Sequence, residues 1–75
     1  MRHFTVVLEW DPEVQSYAVL VPALPGCTSQ GRTIDEAVVN AKEAIGLHVE
    51  GLSEAGLPIP EEPEAPVFVV ISVAA

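Results

Sequence analysis

Residues 21–36, VPALPGCTSQGRTIDE, decide the fold. Leu24-Pro25-Gly26 predicts a tight turn: Pro25 fixes φ near the value wanted at its first central position, and Gly26 takes the positive φ that a type II turn requires next. Cys27-Thr28-Ser29 reads as short and extended, Gly31 predicts a second turn, and Thr33 reads as the N-cap of a helix. The Thr33 hydroxyl is placed to accept from the Glu36 N–H, and the Glu36 carboxylate to reach back to the Thr33 N–H. This reciprocal capping box is worth about 1 kcal/mol. Asp35 and Glu36 also suit the positive end of the helix dipole.

Downstream, Ile34, Ala37, Val38, Ala41, Ile45, Val49 and Leu52 recur at steps of three or four and trace one stripe of a helix over 33–55. Gly46 and Gly51 each weaken that helix by about 1 kcal/mol relative to alanine, so packing must hold it. Gly56 stops it as the glycine beyond the cap, Leu57 folds back on the last turn, and Pro58 prevents continuation. Residues 58–66 carry four prolines and three glutamates and predict an exposed, stiff connector. Residues 67–73, VFVVISV, are apolar on both faces apart from Ser72 and predict a central strand.

Upstream, residues 3–10 alternate, with Phe4, Val6, Leu8 and Trp10 on one face and Thr5, Val7 and Glu9 on the other. Asp11-Pro12-Glu13 breaks the pattern, and residues 17–21 alternate again: Tyr17, Val19 and Val21 against Ala18 and Leu20. Two such runs across a short polar connection predict a hairpin. The expected architecture is a single α+β domain over 1–75, a two-layer β-β-β-α-β arrangement with one long helix on a small mixed sheet. A right-handed crossover should set the last strand parallel to a neighbour. One helix covers one face of such a sheet. The other face would show Val7, Leu20, Phe68 and Val70, and contiguous apolar patches mark interfaces. The chain is therefore expected to meet itself, as a homodimer or homotetramer, or to meet a partner.

Composition supports that expectation. Seventy-five residues lie near the lower limit for one unaided core, yet 49% are hydrophobic, enough to leave apolar surface for another subunit. The net charge of −8 sets eleven acids against Arg2, Arg32 and Lys42, which disfavours direct nucleic-acid binding and favours a basic protein partner. The plainer reading, acidity for solubility, stands beside it. Cys27 is the lone cysteine and makes no internal disulfide. No signal-like opening and no run of ~20 apolar residues is present, so a cytoplasmic protein without membrane contact is expected.

Chemistry-bearing motifs are few. His3, Cys27 and His48 are widely separated, without Cys-x-x-Cys or His-x-x-x-His spacing, so no metal site is expected. His48, one position from the helix stripe, reads as a core-edge or interface residue. Cys27 has no basic neighbour to activate it and reads as a small buried thiol. No phosphate-cradling loop and no basic stripe with aromatic platforms occurs. The expectation is no enzyme and no cofactor.

A strand carrying Tyr17, the turn Pro22 to Cys27, Gly31-x-Thr33 with acids and Ala37 after it, Asn40-Ala41 on the helix, and the closing Gly56-Leu57-Pro58-Ile59-Pro60 together resemble the HicB-type antitoxins. Ala23 stands where the family often has an acid. The resemblance implies a partial ribonuclease H-like fold, in which clustered carboxylates would hold metal ions. Here Glu9, Asp11, Asp35 and Glu36 have local explanations in strand, turn and helix start. The resemblance also implies an antitoxin that neutralises a small, basic, RNA-cleaving HicA-type toxin whose active residue is a histidine. Candidate partner contacts are Glu50, Glu54, Glu61, Glu62 and Glu64; Pro25, Gly26, Thr33, Glu36 and Gly56 are structural. Full-length members commonly carry a C-terminal DNA-binding segment; with its last expected strand ending near Ala75, this chain is expected to be without operator binding, which leaves a second reading open: an orphan homo-oligomeric domain, structural or binding a small ligand between subunits.

Overall fold

A computed structural model describes residues 2–62, 67 and 69–74. The chain order is β1 (Val7–Asp11), β2 (Ser16–Leu20), β3 (Thr28–Gly31) and α1 (Ile34–Glu54). β1 pairs with β2 in antiparallel register from Val7↔Leu20 to Asp11↔Ser16, and β2 pairs with β3 from Tyr17↔Gly31 to Leu20↔Thr28. The sheet order is β1-β2-β3. In the hairpin turn, the Glu13 N–H donates to Asp11 Oδ1 at 3.0 Å, an Asx-type bond that nucleates reversal. Gln15 closes the turn at φ 50°.

The buried core comprises Val19, Val21, Leu24, Cys27, Ala37 and Ala41, with Phe4, Val6, Leu8, Tyr17, Ile45, Val49 and Leu52 packed around it. Val19 and Val21 point in while Leu20 points out, as the alternation requires. Trp10, on the same face as Leu8, stays half exposed and packs its ring edge-on against Tyr17, centroids 5.0 Å apart.

Three features differ from the sequence reading. Gly31 is the last residue of β3 rather than a turn residue, and its φ is not left-handed. A Cβ there would lie 2.3 Å from Ala37 N and 2.6 Å from Ala37 Cα, so glycine is required by the close approach of strand to helix. That approach also explains the helix stripe. Only small residues fit beneath it, so Ala37 and Ala41 are buried while Ile34 and Val38 stay exposed.

The last difference concerns the C-terminal apolar run. Among the described residues it forms no strand, and the sheet is wholly antiparallel. Val67, Val69, Val70, Ile71 and Val73 are all more than 70% exposed, Val70 at 96%. A strand apolar on both faces needs two covering surfaces, and β2 already has both of its edges paired. Within one copy α1 supplies just one cover. Phe68, expected on the open sheet face, lies outside the described residues.

Candidate functional site

The 21–27 segment is built from two turns in tandem. Leu24 N–H donates to Val21 O at 2.9 Å, and Cys27 N–H donates to Leu24 O at 3.0 Å. Gly26 sits at φ 86°, with Pro25 before it, as a type II turn requires. The pair of turns drives the Leu24 side chain into the core at 0% exposure. The loop thereby locks β2 to β3 and sets where α1 begins.

Thr33 caps α1: its hydroxyl accepts from the Glu36 N–H at 3.1 Å. The Glu36 carboxylate reaches one residue further back than expected, accepting from the Arg32 N–H at 3.3 Å. The half of the box made by the Thr33 hydroxyl forms as expected, and the Glu36 carboxylate satisfies the Arg32 N–H in place of the Thr33 N–H. Asn40 adds a brace between helix and sheet, its side-chain amide donating to Gln30 O at 2.7 Å. At the far end Gly56 stands at φ 71°, its N–H bonded to Ser53 O at 3.1 Å, and Leu57 N–H bonds Leu52 O at 2.9 Å. This is the Schellman pattern, and it turns the chain sharply out of the helix into the connector.

The structure places the candidate contact acids in two groups. Glu50 and Glu54 lie exposed one turn apart on α1. Glu61 and Glu62 are drawn back to the N-terminal segment: Glu61 lies 3.6 Å from the Arg2 guanidinium, and Glu62 accepts from both the N–H and the hydroxyl of Thr5, the latter at 2.8 Å. The Arg2–Glu61 pair is exposed and contributes little; the Glu62 bonds are partly buried and fix the course of the connector. Glu64 lies outside the described residues. Of the expected interface residues, Val7 is half-buried and faces Leu20 across the hairpin, Leu20 is 39% exposed, and Val70 is fully open. The Thr5–Glu62 tie had no sequence signal, because it joins residues 57 positions apart.

A second feature emerges only in three dimensions. Between residues 2–6 and the middle of α1 runs an apolar groove lined by Phe4 and Val6 on one side and Val38, Ala41 and Ile45 on the other. Arg2 and Lys42 stand at its rim, two of the three lysine and arginine residues of an otherwise acidic chain.

Cys27 is buried, and desolvation raises its thiol pKa above the ordinary value. The folded pKa is raised above the unfolded one, so the native state is undisturbed below the ordinary thiol range and loses stability as pH rises through it toward the folded value. The expected result is slow labelling of the native chain by a thiol reagent at neutral pH, accelerated at least tenfold by denaturant. Equal rates in both conditions would show an accessible thiolate. Among the described residues, no three His, Cys, Asp or Glu side chains converge as metal ligands, and no helix is long and apolar enough to cross a membrane.

The strands, turns and capped helix can now be set beside known proteins. The sequence model of the HicB-like antitoxin of bacterial toxin–antitoxin systems matches residues 4–69. This chain belongs to the HicB-like antitoxin family. Its fold is similar to the crystal structure of the N-terminal domain of the Burkholderia pseudomallei antitoxin HicB, with a TM-score of 0.63 and 38% identity, covering 92% of this chain and 72% of that one. A UPF0150 protein of Thermoplasma acidophilum is 46% identical over 59 residues, 79% of this chain and 84% of that protein. A UPF0150 protein of Synechocystis is 42% identical over 60 residues, 80% and 75% of the two chains. An uncharacterised protein of Haemophilus phage HP1 is 58% identical over 38 residues, but the match spans 51% of this HicB-like chain and 29% of the phage protein.

Proposed function

We propose that this HicB-like protein is a non-catalytic antitoxin of the cytosol that binds and neutralises a small, basic, RNA-cleaving toxin of HicA type. Membership of the antitoxin family carries the reading. The chemistry agrees with it: a net charge of −8 attracts a basic partner at long range and competes with RNA phosphates for the same cationic site. Glu50 and Glu54, exposed together near the helix end, are the contacts we assign first. The connector acids Glu61, Glu62 and Glu64 are assigned alongside them, the first two being preset by Arg2 and Thr5.

The test uses the purified cognate toxin and an RNA substrate. The chain should abolish cleavage at one-to-one stoichiometry. The double substitution Glu50→Lys/Glu54→Lys should weaken toxin binding at least tenfold at low salt and flatten its salt dependence. The triple substitution Glu61→Lys/Glu62→Lys/Glu64→Lys should do the same. An unchanged affinity and salt slope in both variants would remove these acids from the interface, and failure of the wild-type chain to inhibit would overturn the antitoxin reading.

The open apolar run at Val67 and 69–73 supports a second reading: an orphan homo-oligomer without a toxin, structural or holding a small ligand between subunits. Full RNA cleavage in the presence of excess chain, together with a stable self-assembly, is its expected signature.

A further inference from the structure

We propose that a cationic amphipathic helix of the toxin docks along the outward face of α1 between Val39 and Glu54, its apolar side chains on Val39 and Leu47 and its lysines and arginines on Glu43, Glu50 and Glu54. This docking rests on the antitoxin reading and gives the toxin's contact a place and a chemistry.

Residues 39, 43, 47, 50 and 54 follow one another at steps of four, four, three and four, so they share one face of the helix. That face turns away from the buried seam at Ala37 and Ala41. A solvated helix face has no use for large aliphatic side chains, yet Val39 and Leu47 each stand 63% exposed on it. Beside Leu47 a hollow lined also by Ser29 and Ala44 opens between α1 and β3, a seat for an incoming side chain.

The glycines of α1 point the same way. Gly46 and Gly51 each weaken the helix, and a Cβ at either would meet nothing within 4 Å. The packing of the domain therefore does not require them, in contrast to Gly31. Both are exposed, one immediately before Leu47 and the other immediately after Glu50. Their missing side chains let a second helix approach closely over this part of the face.

Charge selects the occupant. Among the described residues Glu43, Glu50 and Glu54 have no cation at salt-bridge distance, and the single lysine or arginine of α1, Lys42, stands on another side, at the rim of the groove. Glu50 and Glu54, four positions apart, repel each other, and the last turn of α1 holds no basic residue to meet the negative end of the helix dipole. Cations supplied from outside relieve both strains. A second copy presenting the same face would meet like charge, whereas a helix with lysines and arginines around an apolar ridge is complementary to it.

The test has two arms, both on the full chain. The first reads thermal unfolding of the chain alone. Glu50→Gln/Glu54→Gln and Gly46→Gln/Gly51→Gln should each melt at or above the wild-type midpoint, because the fold makes no use of these features. A lower midpoint in either would show that they serve the fold and overturn the proposal. The second arm titrates the variants against the purified small basic toxin, read by calorimetry and by cleavage of a labelled RNA. Val39→Gln/Leu47→Gln and Gly46→Gln/Gly51→Gln should each bind about tenfold more weakly or worse, with the wild-type salt slope kept. Glu43→Lys should lose as much with a flatter slope, whereas Glu13→Lys, the same change in net charge on the exposed β1–β2 turn, should lose less than about threefold. Equal losses in Glu43→Lys and Glu13→Lys would show attraction by net charge without docking on α1 and overturn the proposal. A wild-type chain that leaves RNA cleavage untouched overturns the antitoxin reading and the docking together. Inhibition undiminished by Val39→Gln/Leu47→Gln keeps the reading and overturns the docking alone.

Discussion

Replacing Gly31 by alanine is expected to destabilise the domain by about 3 kcal/mol or more, the upper range for overpacking a tight contact. The added methyl would lie 2.3 Å from Ala37 N and 2.6 Å from Ala37 Cα, with the carbonyl carbon of Glu36 2.9 Å away. All three are backbone atoms of the first helical turn, and no rotamer change relieves them. β3 and α1 would have to separate, opening the seam over Ala37 and Ala41, the most buried part of the helix. For a domain of this size each kcal/mol moves the midpoint by about 4–8 °C, so a fall of roughly 12 °C or more is expected in thermal unfolding. Gly51→Ala is the control. Nothing lies within 4 Å of its Cβ position and it sits inside α1, so that substitution should gain about 0.5–1 kcal/mol. A Gly31→Ala protein that melts with the wild type would contradict the packing described for β3 and α1.

Leu24→Ala is expected to cost about 2–5 kcal/mol, the usual range for removing a fully buried leucine. Leu24 is at 0% exposure and is, with Val19, the largest side chain fully enclosed. Its backbone closes both turns of the 21–27 loop, so surrounding groups have little freedom to collapse into the space left behind. A domain of this size holds a total of roughly 4–11 kcal/mol, and the loss would leave a large unfolded fraction at physiological temperature. Urea unfolding should show a lower midpoint at unchanged slope, while Leu24→Met, similar in volume, should lose less than about 1.5 kcal/mol. A loss below 1 kcal/mol for the alanine variant would mean that the tandem turns, and not the side chain, hold the loop.

These two positions show what the sequence made legible. Pro25-Gly26, Thr33 as the cap, and Gly56-Leu57-Pro58 each carry a local signature, because a turn or a cap is decided by a few neighbouring residues, and each stands in the structure where the chain signalled it, the Glu36 carboxylate alone bonding Arg32 N–H instead of Thr33 N–H. The β1–β2 hairpin and the long helix were readable from their periods for the same reason, and β3 from the turn that precedes it. Gly31 was misread because its requirement is tertiary: local rules see glycine as a turn residue, whereas here helix backbone occupies the place of a side chain. The helix stripe was too broad for a like reason, since the spacing of apolar residues does not tell how near the sheet will come. The tail was read as a central strand from its apolar composition, whereas its described residues, Val67 and 69–73, stand exposed outside the sheet, because composition shows that a run is apolar and not what it packs against. The groove with its cationic rim was invisible, because Phe4 and Val6 meet Val38 and Ile45 only once the strands and helix are assembled.

The antitoxin account is tested most directly by recovering the tagged chain from its native host at low salt and assaying what accompanies it. The account predicts a small basic protein in stoichiometric amount, released by raised salt, that cleaves RNA once freed and stops doing so when the purified chain is returned. Recovery of the chain with copies of itself alone, or with a companion whose RNA cleavage the chain leaves untouched, would contradict it.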